Sequence, residues 1–224
     1  MRKKKIKTVS FKEYQRTTGV HITTRHNGKM DGVWSISTSC ALNPQCKKNA
    51  GVAGSICGKC YARNMIKIYS DLDKVLEKNT EILTGSVLNV VPLLPCKYFR
   101  FEAFGDLMNE IQFINYLNIA KYNPDTNCAI WSKNPHIIEN VFKQGYKKPK
   151  NLKIIISSLF INLCIDYSKI YTWCDSSFTV YDKGFAAQNN VSINCGGRCC
   201  ATCTGGKCYK RGKSPAIINE LLHH

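Results

Sequence analysis

The feature that most restricts the fold of this chain is a regular alternation of strand-like and helix-like segments between residues 33 and 183. Such alternation is typical of a parallel sheet whose strands are joined by crossover helices. The segments with strand patterns are 33–37, 98–104, 128–133, 152–158 and 178–183. They predict an α/β fold with a partial (β/α) barrel-like parallel sheet, or failing that an open doubly wound sheet. Both folds place function at the carboxyl ends of the strands.

Helical periodicity fills the gaps between these strands. Apolar residues recur at three-and-four spacing over residues 65–76, which predicts one helix with one apolar face. Further helices are predicted over 111–120 and 135–142 by the same spacing. Ser214 and Pro215 are predicted to open a C-terminal helix, because proline is favoured in the first turn.

Length and N-terminal composition indicate the organisation and location of the chain. With 224 residues the default is a single α/β domain over 1–224, in which 1–30 forms a basic N-terminal extension. Polar residues follow the first basic residues where a signal peptide would need an apolar stretch, and no segment is apolar for a transmembrane length. We therefore expect a cytoplasmic protein that does not contact a membrane.

The chain has 13 cysteines, and a disulfide framework does not explain them. The cytosol keeps thiols reduced, and an odd number of cysteines cannot all pair with one another. Four of the cysteines are scattered singly among apolar or strand-like residues, where a buried thiol acts as a small hydrophobic group. These four, which we predict to lie in the core, are Cys96, Cys128, Cys164 and Cys174.

The other cysteines form two clusters, over residues 40–60 and 195–208, that predict metal-binding loops near both ends of the chain. Each cluster contains a CxxC turn, which brings two thiolates to one side of a short loop. The strings CGKCYAR and GGKCYKR end the two clusters and resemble each other. The predicted metal ligands are Cys40, Cys46, Cys57 and Cys60 in the first cluster and Cys195, Cys199, Cys200, Cys203 and Cys208 in the second.

An iron–sulfur cluster, [4Fe–4S] in one or two copies, is the predicted cofactor. The cysteines are unevenly spaced, they accompany an α/β core, and Tyr61 and Tyr209 follow the last cysteine of each cluster. Zinc is the alternative, because four cysteines satisfy tetrahedral zinc without any further requirement. The spacing does not match bacterial ferredoxins, and Thr202 stands where the third cysteine of a radical S-adenosylmethionine motif would be.

Polar residues at the ends of the predicted strands are candidates for catalysis or ligand binding. The polar strand ends are Arg100, Glu102, Asp106, Lys133 and Lys183, and we expect them to converge near the cysteine loops. The candidates for catalysis are the first four. Arg100 and Glu102 lie on one strand face, so a buried ion pair that holds the barrel is the alternative interpretation. Whether the chain catalyses a reaction is left open.

The formal net charge of +17 indicates an anionic partner, either a small molecule or nucleic acid. Two tetrathiolate sites would lower this charge only to about +13. A basic face that is merely exposed to solvent explains this charge equally well, without any nucleic-acid binding. A zinc-stabilised nucleic-acid-binding protein is therefore the second functional hypothesis.

Several strings resemble the bacteriophage gene product 88 family of phage and prophage proteins. They are SISTSCALNPQC, ICGKCYA, FRFEAFGDL, WSKNP and CGGRCCATCTGGKCY, and the resemblance spans about residues 34 to 223. It implies a host-cell cytoplasmic protein with a first cysteine motif and a second one. The residues it carries over are Cys46, Cys57 and Cys60 in the first motif and Cys195, Cys199, Cys203 and Cys208 in the second. Cys40 lies outside this pattern, so the first site has either three or four ligands.

Overall fold

The structure is a computed structural model that describes residues 5–205, 207–210 and 212–222. Strands and helices alternate along most of the chain. Its strands are β1 (Lys7–Ser10), β2 (Trp34–Ile36), β3 (Val90–Leu93), β4 (Tyr98–Phe101), β5 (Asn127–Ser132), β6 (Leu152–Ser157), β7 (Ser176–Tyr181) and β8 (Ile217–Leu221). Its α-helices are α1 (Phe11–Thr18), α2 (Pro44–Ala50), α3 (Tyr61–Ile68), α4 (Ser70–Gly85), α5 (Glu110–Lys121), α6 (Pro135–Lys143) and α7 (Lys183–Gln188).

The main sheet has six strands in the order β2–β4–β5–β6–β7–β8, and every neighbouring pair is parallel. The predicted α/β fold with a parallel sheet is therefore confirmed. In the described part of the chain, β2 and β8 are the edges of this sheet and no ladder joins them. Closure into a barrel thus stays a prediction. A second sheet pairs β1 with β3, also in parallel.

The two faces of the main sheet are covered by different parts of the chain. Alternate residues of a strand point to opposite faces, and Phe99 and Phe101 of β4 are fully buried in the core that includes α5 and α6. On the other face, Tyr98 and Ala129 pack against Tyr209. The segment with the second cysteine cluster therefore lies over the face of the sheet opposite the helical core.

The predicted C-terminal helix is wrong, because the residues after Pro215 form strand β8. Residues Ile217–Leu221 pair in register with Ser177–Tyr181 of β7. Two β-branched isoleucines begin this segment and suit a strand, whereas the Ser-Pro signal is equally compatible with an extended entry. The sheet consequently has one more strand than the sequence predicts.

The predicted helix over 65–76 is two helices, α3 and α4. Tyr69 lies between them with φ −118° and ψ 88°, which is outside the helical region. Ile68 and Tyr69 were predicted to belong to one apolar face, but their side chains are exposed. The chain changes direction here, so the continuous three-and-four spacing does not correspond to one buried stripe.

The described part of the segment 1–30 packs into the core. Strand β1 pairs with β3, and Tyr14 of α1 is fully buried. Ser10 caps the start of α1 through its hydroxyl, and Gly19 ends the helix with φ +81°. In the described part of the chain, no helix is long and apolar enough to cross a membrane.

Candidate metal centre

A cavity of about 460 Å³ lies at the carboxyl ends of the strands of the main sheet. Its wall includes the four strand-end residues predicted as catalytic, and members of both cysteine clusters line it as well. Lys183, which was also expected there, begins α7 and does not line the cavity. The predicted polar residues are Arg100, Glu102, Asp106 and Lys133, and the cysteines are Cys57, Cys60, Cys195, Cys200, Cys203 and Cys208. The structure thus brings members of two cysteine clusters from opposite ends of the chain to one cavity. Cys40 and Cys46 do not line the cavity themselves, but both act on Cys60, which does.

The first cysteine group comprises Cys40, Cys46, Cys57 and Cys60, and the last three lie near the starts of helical turns. The side-chain oxygen of Asn43 accepts hydrogen bonds from the backbone N–H groups at the start of α2, 3.3 Å from Cys46 N. Ser55 Oγ accepts a hydrogen bond from Cys57 N at 3.0 Å. The local turn chemistry therefore fixes the backbone that carries these thiols.

Cys60 is the residue of this group that is closest to a thiolate. A hydrogen bond from the Cys40 thiol lowers the pKa of Cys60, and backbone N–H groups of Arg63 and Ala62 lower it further against the opposing effect of burial. Burial raises the pKa of Cys46 and of Cys57. A bound metal would supply the positive charge needed to deprotonate them.

The positive charge of Lys133 acts on this same group. It opposes the increase that burial causes in the pKa of Cys46 and of Cys57, and it contributes to the lowered pKa of Cys60. In the described part of the chain, the Lys133 ammonium forms no ion pair. Lys133 therefore acts on three thiols of the first cysteine group, and Arg63 acts on the fourth, Cys40.

The second cysteine group comprises Cys195, Cys200, Cys203 and Cys208. Burial raises the pKa of Cys195 to about 11 and that of Cys208 to about 12, and the other members of the group raise the pKa of Cys208 further. All four cysteines line the cavity. Cys200 N donates to the Lys29 carbonyl at 2.7 Å, which anchors this segment to the residues that precede β2.

Cys199 is set apart from the second group. Its sulfur lies 3.3 Å from the carbonyl oxygen of Asp31, and it does not line the cavity. The resemblance to the phage family carries over Cys199, whereas the structure places its neighbour Cys200 with the other thiols. Placement therefore favours Cys200 as the ligand.

Among the described residues, no group of three or more histidine, cysteine, aspartate or glutamate side chains is arranged to hold a metal ion. The donors nevertheless fit a thiolate-bound metal chemically, because each group offers four free thiols. The N–H groups that hydrogen-bond Cys60 are also typical of the second shell of such sites. We therefore treat the two groups as candidate metal sites.

The Glu102 carboxylate is buried and engaged by protein donors. Its oxygens accept hydrogen bonds from Thr38 N (3.2 Å), Thr38 Oγ1 (3.0 Å), Gln112 Nε2 (2.7 Å) and the Tyr116 hydroxyl. It forms no ion pair with Arg100, so the predicted ion pair is wrong. Residue 102 turns out of the strand with φ +59°, which carries its carboxylate toward residue 38 rather than toward residue 100.

This carboxylate holds the loop that carries the first cysteines. Gly105 is required beside it, because a Cβ atom there would lie 2.5 Å from the Thr38 carbonyl oxygen. Ala103 N donates to Ser37 Oγ at 3.0 Å, and Asn43 Nδ2 donates to the Asp106 carbonyl at 2.9 Å. The strand-end segment 102–107 therefore clamps the loop between β2 and α2.

Asp106 is engaged in the same way. Its carboxylate accepts hydrogen bonds from Ser132 Oγ at 2.6 Å, Leu107 N at 2.7 Å and Lys133 N at 2.9 Å. These donors tie the end of β4 to the end of β5. Glu102 and Asp106 were both predicted as catalytic. Their hydrogen bonds are those of residues that hold the loops at the strand ends in position.

Two features of the site were missed or misassigned by sequence reasoning. Lys29 and Glu220 line the cavity and form an ion pair, but they carry no motif, since their pairing requires β8 to lie beside the segment before β2. Cys164, predicted to lie in the core, is exposed. Cys128 and Cys174 are buried and Cys96 packs against the core, as predicted.

Comparison of the chain with protein-family models, with curated proteins and with solved structures finds no significant match. The resemblance to the phage gene product 88 family therefore stays a prediction that depends on the quoted motifs.

The first prediction concerns the pH dependence that Glu102 causes. Burial raises the pKa of Glu102 to about 7, although hydrogen bonds from Tyr116 and Thr38 lower it. The folded state therefore binds more protons than the unfolded state between about pH 4.5 and 7, so the free energy of unfolding falls as pH rises through this range. The loss amounts to roughly 3 kcal/mol.

Glu102→Gln removes this titration. The free energy of unfolding of the wild type minus that of Glu102→Gln should fall from pH 4.5 to 7 and level off above, as measured by denaturant unfolding at several pH values. Glu81→Gln, on an exposed position of α4, is the matched control and should show no such trend. A constant difference between wild type and Glu102→Gln would contradict the assignment.

Proposed function

We propose that this chain binds metal through two thiolate sites that face one cavity, with iron–sulfur clusters as the cargo. The observation that carries the proposal is the meeting of both cysteine groups at the carboxyl ends of the parallel strands. Open and closed α/β sheets bind their ligands at this edge. A purely structural role would not explain why thiols from opposite ends of the chain lie at this one edge of the sheet.

The distribution of cations supports anionic sites. Lys133 acts on the first cysteine group and Arg100 on the second, and in the described part of the chain neither pairs with a carboxylate. A tetrathiolate site with a doubly charged core carries a net charge of about −2. Lys29 also acts on Cys195 and Cys200, and Arg63 acts on Cys40, so each site would face cations that offset part of its charge.

The residues that would hold the metal follow from this placement. The first site would use Cys40, Cys46, Cys57 and Cys60, and the second would use Cys195, Cys200, Cys203 and Cys208. Cys40 hydrogen-bonds to Cys60, which supports four rather than three donors in the first site. When bound, iron–sulfur clusters would supply electron transfer at the cavity.

We also propose that the main sheet curves into a partial barrel and that the chain is of phage or prophage origin. The strands of the main sheet follow one another in chain order, which is the order found in a (β/α) barrel. Membership of the phage gene product 88 family, and location in the host cytoplasm, are supported by the quoted motifs alone.

A zinc-stabilised nucleic-acid-binding protein is the second candidate. A second cavity of about 540 Å³ is lined by Lys121 and Lys150, near the amino-terminal ends of β5 and β6 and thus at the opposite end of the sheet from the cysteine groups. Together with the net charge of +17, this basic site favours a polyanion. In this case the cysteine groups would have a structural role.

The second prediction separates iron from zinc. Protein purified without oxygen from iron-supplied cells should be brown and contain both iron and acid-labile sulfide, because thiolate clusters of this kind hold inorganic sulfide. The measurement is metal analysis together with sulfide determination on the same sample. A colourless protein with stoichiometric zinc and no sulfide would refute the iron proposal and favour the second candidate.

The third prediction uses the adjacent pair Cys199 and Cys200. Cys200→Ser should lower the metal content, because its thiol lies with the second group, whereas Cys199→Ser should leave the metal content unchanged. Cys128→Ala is a further control, which should cost stability through a small cavity but no metal. Metal analysis of the purified variants is the measurement, and greater loss in Cys199→Ser than in Cys200→Ser would reverse the assignment.

A further inference from the structure

Arg100 carries a buried guanidinium that hydrogen-bonds to Tyr209 but pairs with no carboxylate among the described residues. It is the third residue of β4 and points to the face opposite Phe99 and Phe101, where the segment with the second cysteine group covers the sheet. In the described part of the chain it forms no ion pair, and its Nε atom is buried without a hydrogen-bond partner.

The groups that touch this guanidinium are neutral. Its Cζ atom lies 4.2 Å from the centroid of the Trp131 ring, and Nη1 lies 3.6 Å from the sulfur of Met30. The hydroxyl of Tyr209 contacts the same sulfur at 3.8 Å. These contacts orient the planar group, and stacking on an aromatic ring offsets only a small part of the cost of burying its charge.

The acidic side chains of the cavity are already engaged elsewhere. The carboxylate of Glu102 accepts from its own donors, that of Asp106 from backbone N–H groups and a serine, and Glu220 pairs with Lys29. Burial lowers the pKa of Arg100, and the groups that raise it are tyrosine hydroxyls followed by the thiols of Cys200 and Cys208. The anion that balances Arg100 must therefore come from these thiols or from a ligand.

We propose that Arg100 is the counter-cation of the second cysteine site, which Cys195, Cys200, Cys203 and Cys208 form as thiolates around a metal. The inference deepens the proposed function and rests on it. Thiolates are favoured over a ligand anion because the covering segment already places Cys200 and Cys208 against this face of the sheet. Arginine suits the role because its guanidinium stays charged and is weakly hydrated.

The proposal predicts that a change at Arg100 affects one site and not the other. Two backgrounds isolate the sites: Cys57→Ser with Cys60→Ser retains only the second group, and Cys200→Ser with Cys203→Ser retains only the first. Arg100→Gln and Arg100→Lys are introduced into each background. Cobalt(II) is the probe, because its thiolate complexes are coloured, and its retention is titrated against a competing chelator under anaerobic conditions.

In the background that retains the second group, Arg100→Gln should weaken cobalt retention about tenfold or more, as expected for loss of a residue that supports metal ligands. Arg100→Lys should restore part of this loss, since it keeps the charge. In the background that retains the first group, neither variant should change cobalt retention, because the cations that act there are Lys133 and Arg63.

Four results would overturn the inference. Equal loss in both backgrounds would show a general effect on folding, and no loss in either would remove the electrostatic role. Binding of inorganic phosphate that Arg100→Gln abolishes without affecting cobalt would assign Arg100 to a ligand anion. If the background with the second group binds no cobalt while Arg100 is intact, the proposed second site itself fails, and this inference fails with it.

Discussion

The six strands of the main sheet run in one direction, and the candidate site depends on this constraint. Parallel strands place all their carboxyl ends at one edge, so the loops that leave β2, β4, β5 and β7 begin beside one another. The first cysteine group follows β2 and the second follows β7. Thiols from distant parts of the chain therefore reach one cavity without any direct link in sequence.

The buried carboxylate of Glu102 fixes the conformation of the loop that carries the first cysteine group. It joins the loop after β2 to the end of β4 and to α5, through hydrogen bonds with Thr38, Gln112 and Tyr116. A buried carboxylate costs free energy unless donors surround it, and here the donors belong to the elements that need to be fixed. The second group is held differently, because its segment packs through Tyr209 on the opposite face of the sheet.

The fold and the convergence of the site could be predicted because they follow from local patterns. Alternation within 98–104 and the apolar run over 152–158 identify strands, and their shared direction brings Arg100 and Lys133 to the same edge as the cysteines. The strand β8 was missed because the Ser214-Pro215 signal is shared by helices and extended segments. Here pairing with β7 decides the outcome, and pairing is not a local property.

The roles of individual side chains could not be predicted in the same way. Arg100 and Glu102 share a strand, so an ion pair was a reasonable alternative, but the positive φ of Glu102 directs its carboxylate to Thr38. Cys199 and Cys200 are adjacent, and only the path of the loop over the sheet shows which thiol joins the second group. Both outcomes depend on backbone conformation that the residue types do not specify.

The central claim is that two separate thiolate sites bind metal at one cavity, and X-ray absorption at the metal edge tests it most directly. The measurement compares the wild type with the variants Cys57→Ser/Cys60→Ser and Cys200→Ser/Cys203→Ser. We expect a first shell made of sulfur, at about 2.3 Å, in all three proteins. The two variants should each keep part of the metal, in amounts that together equal the wild-type content. A first shell of nitrogen and oxygen, or complete loss of metal in both variants, would contradict the account.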